Sequence, residues 1–83
     1  MFTVYILYSA ILDKHYIGYT GISLSKRIER HLFNHKGFTA KVKDWVLVYS
    51  EEFSEKSLAI KRENEIKSWK SKHKIKELIR KKS

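Results

Sequence analysis

Three sets of residues in this sequence have types and spacings that could do chemistry. Glu63 follows Ala59 by four positions and precedes Ile66 by three, so on a helix it shares their apolar face. A carboxylate there needs a partner, because burying it unpaired is costly. Arginine, lysine, a tyrosine hydroxyl or a metal ion could each serve. Arg27 and His31 are i, i+4 neighbours beside a Leu24–Ile28 stripe. The planar guanidinium suits a pair of phosphate oxygens, and imidazole can move a proton or orient water near neutral pH. Tyr5 and Tyr16 come third, in the aromatic runs "TVYIL" and "HYIGYT". Each set also has a plain structural reading: an edge-of-core ion pair, a surface basic pair, and cross-strand aromatic packing.

Local patterns predict the elements that must position these groups. Residues 2–8 alternate and are rich in β-branched and aromatic types, which predicts a strand. Both of its faces are apolar, so it should be central and covered on each side. A second strand over 14–20 should run antiparallel to it. A hairpin tip near residues 10–11 would bring Tyr5 and Tyr16 close, whereas one nearer Asp13-Lys14 would offset them by several residues; Gly18 would clear space beside Tyr16. Ser23 or Ser25 can cap a helix running to about residue 35, with Gly37 as its stop. Trp45–Phe53 reads as a third strand. A helix over about 55–70, with Leu58, Ala59, Ile66 and Trp69 inward, leads through a bend near Ser71 into a short basic helix anchored by Ile75, Leu78 and Ile79. The expected class is α+β, a small three-stranded antiparallel sheet flanked by helices in the order β-β-α-β-α-α.

Composition narrows the function. With 83 residues the chain should form one domain over 1–83, residues 71–83 being its basic C-terminal helix. There is no cysteine, so the fold has neither disulfides nor thiolate zinc sites. No apolar run is long enough to span a membrane and no leader pattern is present, so the expectation is a cytoplasmic protein without a membrane partner. The net charge is +9, and residues 56–82 hold 11 of the 18 lysines and arginines against three acids. Such an excess suggests a nucleic acid partner. Lys67, Lys70, Lys72, Lys74 and Lys76 are the candidate phosphate contacts.

Taken in order, these segments resemble the GIY-YIG nuclease family, and in particular its small single-domain, URI-type members. "TVYIL" corresponds to the GIY segment, with Thr3 and Val4 in place of its glycine and isoleucine. Tyr16-Ile17-Gly18 matches YIG literally. "SKRIERH" resembles the following helix and puts the family arginine and histidine at Arg27 and His31. "WVLVYSEEF" resembles the third strand, and "SLAIKRENEIKSWK" the helix whose glutamate falls on Glu63. The similarity runs from about Phe2 to Lys76. It implies a metal-dependent DNA endonuclease, acting in repair or recombination and needing no small-molecule cofactor. Tyr5, Tyr16, Arg27, His31 and Glu63 would be catalytic, with Glu63 holding a single Mg²⁺ or Mn²⁺. Tyr16 would take the proton of the attacking water and Tyr5 would position it. The alternative is a non-catalytic nucleic-acid-binding module of the same fold. A third reading is a small subunit that meets a partner through Ile75, Leu78 and Ile79.

Overall fold

The computed structural model describes residues 1–23, 26 and 44–82. The helix expected between the second and third strands, with Arg27, His31 and Gly37, lies outside the described residues. Strand β1 (Phe2–Ser9) pairs antiparallel with β2 (Lys14–Thr20) and with β3 (Val46–Phe53), in the order β2-β1-β3. Helices α1 (Lys56–Ser68) and α2 (Lys72–Lys82) follow. The class is α+β, as the sequence predicts. No described helix is long and apolar enough to cross a membrane.

The apolar character of both faces of β1 explains its central place. Val4, Tyr5, Ile6 and Leu7 are all fully buried. The even-numbered residues of β1 face the helices: Val4 and Ile6, with Ile17 and Tyr49 from the neighbouring strands, pack with Ala59, Ile66 and Ile75. The odd-numbered residues of β1 face the other way: Tyr5 and Leu7 pack with Trp45, Leu12 and Tyr16. The sheet therefore separates two apolar clusters, and the alternation of the strand decides which side chain joins which.

A bulge in β3 builds the second cluster. Ile6 pairs with Tyr49, but Leu7 pairs with Leu47, so Val48 is the extra residue. One added residue reverses the facing of everything before it. Leu47 and Trp45 thereby turn to the Tyr5 side, where Trp45 is buried. Without the bulge the indole would point toward the helices.

The β1–β2 connection is set by a buried hydroxyl. Ser9 Oγ donates to Asp44 Oδ1 at 2.6 Å and accepts from the Leu12 N–H at 3.1 Å. The Ile11 N–H donates to Asp44 Oδ2 at 2.8 Å. Asp44, just ahead of β3, thus ties the turn to the far side of the sheet. Its carboxyl is held below the usual range, first by Ser9 and then by the Ile11 N–H.

Two helices form where the sequence predicts a bend. The Trp69 N–H donates to the Ile66 carbonyl at 3.2 Å, and Lys70 takes φ 48°, the left-handed conformation that ends helices. Ser71 then caps α2: its Oγ accepts from the Lys74 N–H at 3.3 Å. Leu58, expected inward, is 44% exposed, whereas its neighbour Ala59 is fully buried: α1 turns the Ala59–Ile66 face to the sheet and leaves Leu58 at its side. Ile75 is buried, and Leu78 and Ile79 pack partly against the core, so these anchors serve the fold itself.

Candidate active site

The tyrosine pair is assembled by the hairpin register. Tyr5 stands opposite Gly18 and Leu7 opposite Tyr16, so the two tyrosines are diagonal neighbours on one face. Gly18 makes this possible. A Cβ on Gly18 would fall 2.7 Å from Tyr5 Oη, 2.8 Å from Tyr5 Cζ and 3.2 Å from Tyr16 Cε1. The Tyr5 ring therefore lies across bare backbone, with the Tyr16 ring beside it. Tyr5 is fully buried, while Tyr16 is half-buried and reaches the surface.

Glu63 is placed differently. It lies on α1 in the stripe between Ala59 and Ile66, and its side chain is 13% exposed. Lys67 Nζ approaches Glu63 Oε1 at 3.5 Å, one helical turn on. Its helix neighbours Ala59 and Ile66 pack on the Val4–Ile6 face. The structure thus brings Tyr5 and Tyr16 together and puts Glu63 on a separate element. Arg27 and His31 lie outside the described residues.

The donor set around Glu63 limits which ion it suits. Among the described residues no three His, Cys, Asp or Glu side chains converge. A single carboxylate fits Mg²⁺ or Mn²⁺, which keep several waters and accept phosphate oxygens, better than an ion that needs a cage of protein ligands.

The five candidate phosphate-binding lysines do not share one surface. Lys67, Lys70 and Lys72 line a groove of about 620 Å³ between the β1–β2 turn and the α1–α2 junction. Lys74 lines a second groove, with Arg62, Trp69 and His73. Lys76 is exposed, and its charge acts on His15 and Asp13.

Sequence reasoning missed two polar networks. In the first, Arg62 Nε meets Glu51 Oε1 at 3.2 Å, and its guanidinium also bonds Glu65 and stacks 5.7 Å from the Trp69 ring. The Tyr49 hydroxyl donates to Glu51. The i, i+3 spacing of Arg62 and Glu65 is legible in the sequence, but the Glu51 contact depends on how α1 crosses β3. In the second, Asp13, at φ 51°, accepts from the Tyr8 hydroxyl at 2.7 Å and from Lys72 Nζ at 2.6 Å. The Tyr8 and His15 rings meet with centroids 4.8 Å apart, tilted by 43°.

Lys72 and Tyr8 together depress the Asp13 carboxyl from 3.8 to about 2. A carboxyl lowered in the folded state contributes stability above its unfolded value and loses it as pH falls through the folded one. The tether between α2 and the β1–β2 turn should therefore be intact at pH 4 and open as pH falls toward about 2. An NMR titration of the Asp13 side-chain carboxyl checks this. Lys72→Gln should move its midpoint back up toward the ordinary value.

The chain belongs to the GIY-YIG catalytic domain family, whose model matches residues 1–76. That is a family of nucleases. No curated protein and no solved structure matches the chain.

Proposed function

We propose that this protein is a divalent-metal-dependent endonuclease that hydrolyses DNA phosphodiester bonds, in repair or recombination. The observation that carries this reading is the Tyr5–Gly18–Tyr16 cradle, in a chain whose family consists of nucleases. Packing alone does not require a phenol laid over a glycine with a second phenol at its edge. An aliphatic side chain at position 5 beside an ordinary side chain at position 18 would fill the same space.

The residues would divide the work as follows. Tyr16, the more accessible phenol, takes the proton of the attacking water. Tyr5, held rigid by burial, orients that water through its hydroxyl. Arg27 binds a non-bridging oxygen and offsets charge on the phosphorus, and His31 orients a tyrosine hydroxyl or passes on the proton. Glu63 would hold the Mg²⁺ or Mn²⁺, in competition with Lys67 for the carboxylate. When bound, the ion supplies Lewis-acid stabilisation of the leaving 3′ oxygen and of the phosphate charge. The basic surfaces of α1 and α2 supply affinity that carries no sequence information and falls steeply with salt.

The Glu63–Lys67 ion pair favours a second reading, a binding module whose carboxylate is spent within its own helix. A nicking assay on plasmid and branched DNA separates the two. The nuclease reading expects cleavage in Mg²⁺ or Mn²⁺ that a chelator abolishes. Binding without cleavage on every substrate would establish the module instead.

A further inference from the structure

The groove between the β1–β2 turn and the α1–α2 junction combines two chemistries. Its floor is apolar, formed by Ile17, Ile66 and Ile75. Its rim is cationic: Lys14, Lys67, Lys70 and Lys72 stand around it; Lys67 also meets Glu63, and Asp13, the one carboxylate of the lining among the described residues, is held by Lys72 and Tyr8. Its volume of about 620 Å³ falls within the range of ligand-binding clefts. We propose that this groove holds an unpaired nucleotide of a DNA strand, the sugar and base against the isoleucine floor and the phosphate on the lysine rim.

Charge complementarity and shape select this occupant, granted the nuclease reading above. A fully paired duplex turns its phosphates outward and keeps its bases stacked inside, so it could meet the rim but not fill the floor. An unpaired nucleotide offers both an apolar face and an anion. Lys70 adds an independent observation. Its φ of 48° is a conformation in which glycine follows helices without penalty. A lysine there bears strain, and strain retained in a ligand-facing residue points to use of its side chain. Lys70 thus projects a cation over the groove from a fixed backbone.

His15 reports on the site. It lines the groove, and its pKa is held below the usual value first by burial, then by Lys76 and Lys72, with Asp13 opposing. Lys14, Lys67 and Lys70 line the same groove, and the Tyr8 ring covers His15 from β1. A phosphate bound among these lysines would offset their charge and raise the His15 pKa.

The test follows the His15 ring by NMR in the full chain, with oligothymidine, a blunt duplex and free thymidine monophosphate added separately. Oligothymidine should raise the His15 pKa and saturate at lower concentration than the other two. Lys70→Gly should weaken oligothymidine binding by about tenfold, the loss of one charge-assisted contact, without lowering the melting temperature, because glycine relieves the strain at that position. A His15 signal unmoved by oligothymidine, or moved equally by the blunt duplex, overturns the proposal. Equal affinity for the free monophosphate also overturns it, and marks a free-nucleotide site instead. Plasmid nicking is measured on the same preparation. Nicking with a silent His15 removes only the groove proposal, whereas no nicking removes the nuclease reading.

Discussion

Gly18→Ala should destabilise the protein by about 1–3 kcal/mol, the range for forcing added volume into a packed site. For a chain of this size each 1 kcal/mol lowers Tm by roughly 4–8 °C, which thermal denaturation would resolve. The new methyl carbon would fall 2.7 Å from Tyr5 Oη and 2.8 Å from Tyr5 Cζ. Real Cβ atoms do not approach so closely, so something must move. The Tyr5 ring is fully buried against Leu7 and Trp45 and has no space to swing into. Tyr5→Phe in the Gly18→Ala background should recover only part of the loss, because Cζ remains in the way. Tyr5→Leu in that background removes the ring and should recover most of it. Cleavage should stay lost in both double variants. Restored stability without restored cleavage identifies the cradle as functional, and full activity in Tyr5→Leu/Gly18→Ala would show that the Tyr5 hydroxyl has no part in the reaction.

Tyr16→Phe and Glu63→Gln should each cripple cleavage and should not add. Removing a general base costs roughly 10²–10⁴-fold, and weakening the hold on a metal ion should cost at least about as much. Groups that act as one unit are strongly non-additive, so the double variant should be about as slow as the worse single one. Single-turnover cleavage rates give the cycle, and fluorescence anisotropy should show DNA binding retained in all three variants. The cycle is informative because Tyr16 and Glu63 stand on separate elements, β2 and α1. Fully multiplied losses would mean that Glu63 serves a separate task, and an unimpaired Glu63→Gln would end its assignment as the metal ligand.

Both predictions depend on what was legible before folding. The strand character of residues 2–8, the centrality of β1 and the break near Ser71 follow from local composition and periodicity. So does the shared face of Ala59, Glu63 and Ile66, because the helical period fixes which residues of one element face together. Leu58 shows where this ends: its apolar type fits an inward position, but the docking of α1 buries its neighbour Ala59 and leaves Leu58 44% exposed.

The sequence by itself determined the elements, the family and the residues that can carry charge or protons. The tertiary structure decided their relations. The hairpin register laid Tyr5 over Gly18 with Tyr16 on the diagonal. The bulge at Val48 turned Trp45 to the tyrosine side. The docking of α1 paired Glu63 with Lys67 beside the core, and the docking of α2 gathered Lys67, Lys70 and Lys72 around one groove but left Lys74 at another. Periodicity is a property of neighbouring residues, whereas register, bulges and helix docking are chosen by contacts between residues far apart in the chain.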